Sequence, residues 1–159
     1  MVRVKTLRFE RLEESHIAPI LDIEKLVNSA PWSEKSFRNE LKHAHGYFLA
    51  VIEGGQVIGY GGFWMVVDEA HITTVAISPD HQGKGIGRRL MVELLLKAKE
   101  NGMACSTLEV RAGNAPAIHL YENLGYVSVA KRKAYYPDNQ EDAVVMWLHH
   151  LQDWEPPKR

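Results

Sequence analysis

Ile72-Thr73-Thr74-Val75-Ala76-Ile77, then Gln82-Gly83-Lys84-Gly85-Ile86-Gly87, then Ile86, Leu90, Leu94 and Ala98 at i, i+4, i+8 and i+12 form the stretch that decides the fold. A β-branched apolar run, a glycine-rich turn and a helical repeat read as strand, loop and helix. Backbone N–H groups in such a loop, with a helix N-terminus behind them, make a site for a phosphate anion. Glycine suits it because a Cβ would block close approach or the required φ. The dinucleotide fingerprint G-x-G-x-x-G/A fails here. Its last position is Arg88 counted from Gly83, and Leu90 counted from Gly85. The P-loop fails too, because Lys84 is followed by Gly85 rather than Ser or Thr. At this point the segment is either an anion loop or an ordinary helix-start turn.

Outward from this stretch, the chain reads as one mixed α/β domain. A first strand is expected at 4–11. A helix follows with Ile17, Ile20, Leu21 and Glu24 in helical spacing and Pro19 in its first turn. Ser33 is placed to cap a second helix carrying Phe37 and Leu41. Strands at Tyr47–Glu53 and Gln56–Met65 flank Gly54-Gly55, a two-residue hairpin signal. A fourth strand spans about 70–77, and the long helix about 85–100, with Gly102 as its C′ residue. A fifth strand at about 106–111 leads into a helix at 115–124 closed by Gly125, and two last strands fit 126–134 and 142–148. Helices between strands require a parallel portion around the fourth and fifth strands. The domain is expected to cover 1–151, with a loose tail from Gln152 to Arg159 marked by Pro156-Pro157.

Bulk properties narrow the function. The 159 residues suit one domain with a sizeable core. A net charge of −1 proposes no nucleic-acid surface. No run approaches the roughly 18 apolar residues of a membrane span. Residues 1–14 contain no signal-peptide core, so a cytoplasmic protein is expected. The lone Cys105 excludes an internal disulfide and reads as a buried or half-buried thiol. The eight histidines have no metal-ligand spacing, so no metal is expected. His149-His150 on the last strand would face opposite ways.

Four segments carry a resemblance. Gln82 to Gly87 fit Q/R-x-x-G-x-G/A, the acyl-CoA pyrophosphate loop of the GNAT acetyltransferases. Leu108 to Tyr126 closely resemble the signature LEVRxxNxxAxxLYExLGF of the RimI-type subgroup of protein N-terminal acetyltransferases. Tyr135-Tyr136 with Glu141-Asp142-Ala143, and Pro31-Trp32-Ser33, resemble that subgroup as well. The resemblance covers about residues 4–148 in the expected order. It implies the GNAT fold, with about seven strands, four helices, and parallel, splayed fourth and fifth strands. It further implies acetyl-CoA as cosubstrate and the amino terminus of a protein as acceptor, most specifically the N-terminal alanine of a small-subunit ribosomal protein. A monomer or weak dimer is expected.

The resemblance also assigns roles. Gln82, Gly83, Lys84, Gly85, Ile86, Gly87 and Arg88 would hold the pyrophosphate. The backbone of Val75, Ala76 and Ile77 would pair with the pantetheine arm, as an open strand edge can. Glu109 would be the general base; from the strand pattern alone it reads as paired with Arg111 on a solvated face. A protein α-amine, with a pKa of about 7.7–8.0, needs only a modest carboxylate base, against about 10.4 for lysine. Tyr121 would protonate the leaving thiolate and line the cofactor; by spacing with Ile118 and Leu124 it also reads as a core aromatic. Asn114 is a helix N-cap that would also contact the CoA arm. Tyr135, Tyr136 and Trp32 would contact the peptide. The alternative for the tyrosines is cross-strand packing, and for Trp32 a hydrophobic plug. The turn after the tyrosines departs from the family, which often has Asn-Gly or Asp-Gly where this chain has Asn139-Gln140; Asn139 can still adopt left-handed geometry. Two other functions compete: a broader N-terminal or small-molecule amine acetyltransferase, and a CoA-binding module without turnover. Retention of both Glu109 and Tyr121 weighs against the module.

Overall fold

The computed structural model of the chain describes residues 6–28 and 30–158. Four α-helices, three 3-10 turns and seven strands alternate along it, and the strands form a mixed sheet in the order β1-β2-β3-β4-β5-β7-β6. Among the described residues no helix is long and apolar enough to cross a membrane. Chain contacts divide the molecule into two compact units, Met1–Trp64 with Thr73–Leu94, and Met65–Ile72 with Leu95–Arg159.

In the first unit, β1 (Leu7–Arg11) pairs antiparallel with β2 (Gly46–Glu53), from Leu7↔Glu53 to Arg11↔Leu49. Residues 4 and 5 of the expected first strand lie outside the described residues. The hairpin from β2 to β3 (Gln56–Val66) turns through Gly54 at φ 58 and Gly55 at φ 80, the left-handed pair that a two-residue hairpin demands. A 3-10 turn at Glu14–His16 leads into α1 (Ile17–Val27), where Pro19 sits harmlessly in the first turn. The Ser33 hydroxyl caps α2 (Glu34–Leu41) by accepting from the Ser36 N–H at 3.2 Å. Ile17, Ile20 and Ile23 of α1, Phe37 of α2, Phe48, Ala50 and Ile52 of β2 and Tyr60 of β3 form one apolar cluster. Phe37 meets Tyr60 edge to face, with ring centroids 5.5 Å apart. Truncating Phe37 to alanine there would cost about 3–5 kcal/mol. The later part of β4 (Glu69–Ile77) and the opening of α3 (Ile86–Glu100) also belong to this unit.

In the second unit, β4 and β5 (Cys105–Arg111) run parallel over Glu69↔Cys105, Ala70↔Ser106 and His71↔Thr107. β5 pairs antiparallel with β7 (Ala143–Leu148), and β7 with the edge strand β6 (Val127–Arg132). Gly102, at φ 79, ends α3 as expected, with the Met103 N–H reaching back to the Ala98 carbonyl at 3.1 Å. Gly125, at φ 110, ends α4 (Ala115–Leu124). The next residue, Tyr126, is fully buried, and its hydroxyl shares a 2.7 Å hydrogen bond with Ser106.

Three boundaries differ from the sequence reading. β6 stops at Arg132, because Ala134 takes φ 48 and gives its N–H to the Asp142 carboxylate at 2.9 Å. His149 and His150 lie beyond β7. His150 takes φ 56, and His149 stacks on Trp147, so the alternation of a strand no longer governs them. The stretch from Gln152 does not begin a loose tail. Leu151–Asp153 form a 3-10 turn, and the buried Trp154 donates its indole N–H to the Leu124 carbonyl at 2.8 Å. The Lys99 ammonium holds the Trp154 carbonyl at 2.7 Å. The polar edge of the indole, unlike the surrounding Pro-rich text, is what ties this segment down.

Candidate functional site

The glycine loop lies in the first unit. β4 ends at Ile77, and a 3-10 turn spans Pro79–His81. The Gln82 amide donates to the Ile77 carbonyl at 3.0 Å, so this side chain closes the turn on itself. Gly83 and Gly85 both take φ +78, and α3 begins at Ile86. Gly87 is helical rather than a turn glycine. A Cβ on Gly83 would meet nothing within 4 Å, so the loop needs glycine there for its φ and leaves open space in front of it. The first N–H groups of α3 have no intrahelical acceptor, and its first turn holds no acidic side chain. Lys84 is exposed beside them and Arg88 half-buried. These groups fit a pyrophosphate: backbone donors, a helix N-terminus and a first turn with no acidic side chain. His81, 3.5 Å from Glu53, fixes the turn that precedes the loop. Val75 and Ala76 are half-buried on β4, and Ile77 is buried.

Trp32, also in this unit, packs its half-buried ring on Phe37 at 5.3 Å. Its backbone N–H donates to the buried Glu24 carboxylate at 3.2 Å. The plug geometry is therefore realised.

The acid and base candidates lie in the second unit. Glu109 stands on β5 between buried Leu108 and Val110, with its own side chain 32% exposed. Arg132 of β6 approaches its carboxylate to 3.6 Å. Interaction with the same carboxylate is the leading reason the Tyr135 phenol pKa is raised, with burial second. Glu109 thus pairs with Arg132, whereas Arg111, the partner that strand alternation suggested, turns elsewhere. Its guanidinium forks onto Asp138 with two 3.1 Å bonds, reaches Glu141 at 3.4 Å and lies 4.0 Å from the centre of the Tyr136 ring.

Tyr121 sits on α4, whose N-cap Asn114 accepts from the Ala117 N–H at 3.3 Å. Burial raises the Tyr121 phenol to about 12, with nearby Tyr136 adding to the shift. The ring meets Tyr126 at 5.9 Å. Of these two tyrosines, Tyr126 is fully buried and Tyr121 half-buried.

Tyr135 and Tyr136 lie in the β6–β7 connection, off the strands, so cross-strand packing does not hold them. Their rings stand at 90° with centroids 5.1 Å apart. Tyr135 is 46% exposed and Tyr136 half-buried. The left-handed residue of the following turn is Gln140, at φ 60, rather than Asn139. Asn139 instead folds its side-chain oxygen onto the Glu141 N–H at 3.0 Å, an Asx turn that leaves φ > 0 to the next residue.

The sequence reading missed Arg132, Asp138 and Glu141 as parts of this site. Arg132 is hidden in the run Lys131-Arg132-Lys133, which has no local pattern, and its partner lies 23 positions away on another strand. Among the described residues no group of three or more His, Cys, Asp or Glu could hold a metal ion.

Known proteins resemble this chain along most of its length. The model of the Acetyltransferase (GNAT) family matches residues 17–126. The [ribosomal protein bS18]-alanine N-acetyltransferase of Escherichia coli K12 is 37% identical over 139 residues, covering 86% of this chain and 93% of its own. The N-alpha-acetyltransferase RimI of Mycobacterium tuberculosis is 35% identical over 130 residues, 79% of this chain and 80% of its own. The crystal structure of the ribosomal-protein-S18-alanine N-acetyltransferase from Escherichia coli superposes with a TM-score of 0.84 at 33% identity, covering 91% of this chain and 94% of that one.

Proposed function

The chain belongs to the GNAT family of acetyltransferases, and on that premise we propose that it transfers the acetyl group of acetyl-CoA to the α-amine at a protein N-terminus, namely the alanine of ribosomal protein bS18. One observation carries the acceptor chemistry: a solvent-reachable carboxylate, Glu109, interrupts a strand whose neighbouring residues are buried. The acetyltransferase domain, expected at 1–151, extends in this reading to include the buried Trp154.

Each group then has a task. The N–H groups from Gly83 to Arg88 hold the pyrophosphate, with Lys84 adding charge. The backbone of Val75 to Ile77 lines up the amide-containing arm, and one of its N–H groups polarises the thioester carbonyl. Glu109 takes a proton from the terminal ammonium, directly or through one water, and leaves an amine lone pair. That lone pair forms the N–C bond to the acetyl carbon while the C–S bond breaks, Tyr121 gives its proton to the departing sulfur, and the second proton shed by the nitrogen returns the phenolate to the phenol. A phenol raised to about 12 keeps that proton throughout the neutral range, so the acid is loaded when needed. Asn114 keeps α4, and with it Tyr121, in register. Tyr135 and Tyr136 hold the first residues of the peptide. The test is a thiol-release assay on a panel of short peptides that vary the first residue, run beside spermidine. Rapid release with the Ala-first peptide is expected. Release with spermidine alone would favour a small-molecule acetyltransferase, and no release with any amine a binding module.

A further inference from the structure

Arg111 and Glu141 have no step in the scheme above, yet they join one polar network. The Glu141 carboxylate faces two ways. One oxygen accepts the Gly113 N–H at 2.7 Å, and the other lies 3.4 Å from the Arg111 guanidinium. The Glu141 backbone carbonyl accepts from the Tyr136 N–H at 3.2 Å. Gly113 lies two residues past the end of β5 and precedes Asn114, the cap of the Tyr121 helix. A Cβ at Gly113 would come within 2.7 Å of the Glu141 carboxylate, so the absence of a side chain is what lets this bond form. Arg111 is two residues from Glu109 on β5. Its planar fork grips Asp138 on both oxygens while its face lies over Tyr136. The next acid, Asp142, reaches the other way, to the Ala134 N–H at 2.9 Å, just before Tyr135.

We propose that Arg111 and Glu141 are positioning residues for the acceptor. They tie the tyrosine turn to the loop that opens α4, and so fix the wall at which a peptide N-terminus is held relative to Glu109 and Tyr121. This rests on the acetyl-transfer reading. The ion pairs are partly exposed, and such pairs add little to global stability. Their precision therefore serves placement, where an error of about 1 Å costs on the order of 10²-fold in rate. The charge of Glu141 suits the role, since the Gly113 N–H, and then Asn139 and Arg111, pull its pKa below the usual carboxylate value.

Steady-state kinetics on the purified full chain, with an Ala-first bS18 peptide, test this. Glu141→Ala and Arg111→Met should lower kcat/KM for peptide about 10- to 10²-fold, mostly through KM. Arg111→Lys, which keeps the charge and loses the fork and the stacking face, should not rescue. Glu141→Gln, which keeps an oxygen for Gly113, should fall between wild type and Glu141→Ala. Calorimetric affinity for CoA should stay within about twofold of wild type, and Tm within about 4 °C. Wild-type peptide kinetics in the variants overturn the proposal. So does a loss of CoA affinity or of melting temperature that parallels the loss of activity, because the network is then a staple of the fold; Glu141→Gln carries the same test should Arg111→Met not fold. A wild-type chain that acetylates no peptide overturns the functional reading and this proposal with it, whereas an active wild type with unchanged variants sinks this proposal alone.

Discussion

The glycine loop and the tyrosine turn are both irregular connections, and they are built by opposite means. The loop uses backbone. Two glycines at φ +78 and the opening of a helix supply its donors; side chains only brace it, Gln82 onto Ile77 five residues back and His81 beside Glu53. The turn at 133–142 uses side chains. Arg111, Arg132, Asp138, Glu141 and Asp142 hold it from partners 8 to 30 positions away. A backbone site follows from local rules of φ and N–H direction, while a side-chain site depends on which strands become neighbours. The first kind is robust to most substitutions and fragile to charge or Cβ at its glycines. The second is tuned, and sensitive at each long-range partner.

The sharpest way to break the side-chain half is Glu109→Gln, which keeps size and removes the base. Turnover on the peptide should fall by about 10²–10⁴ at neutral pH while CoA affinity holds. Unchanged turnover would leave Glu109 as a strand residue. In the backbone half, Gly85→Glu forces a side chain into left-handed geometry and sets a carboxylate against the anion. CoA affinity by calorimetry should drop by about 10²-fold or more. Retained affinity would remove the loop from the site. Tyr121→Phe should slow the single-turnover rate toward the lower end of ~10²–10⁴, with near wild-type melting. A wild-type single-turnover rate would reduce Tyr121 to packing. The smallest effect is in alkali. Tyr121 titrates at about 10 when unfolded and at about 12 when folded, so the unfolded chain holds fewer protons between these values. Its contribution to stability is whole below about pH 10 and is lost as pH rises through about 12. Melting followed across that window should decline less steeply in Tyr121→Phe than in wild type; identical slopes would contradict the buried phenol.

The same contrast explains what was legible beforehand. Gly54-Gly55, Ser33, Asn114, Gly102 and Gly125 each act within a few residues, and each element they bound formed as read. The end of β6 was misplaced because Ala134 is held by Asp142, eight residues on. The tail was misread because Trp154 bonds a carbonyl 30 residues back. Glu109 was found and its partner was not. Alternation put Arg111 on its face, but Asp138 and Glu141 offer Arg111 a bidentate acceptor and a second carboxylate.

The central claim, an acetyltransferase acting on a protein α-amine, is tested most directly by locating the acetyl group. The chain is incubated with acetyl-CoA and a bS18 peptide that begins with alanine and contains lysine, and the product is sequenced by tandem mass spectrometry. Acetylation of the alanine amine, with lysine untouched and the reaction abolished in Glu109→Gln, is the predicted result. Acetyl found only on lysine, or a peptide left unmodified while a small amine is consumed, would contradict it.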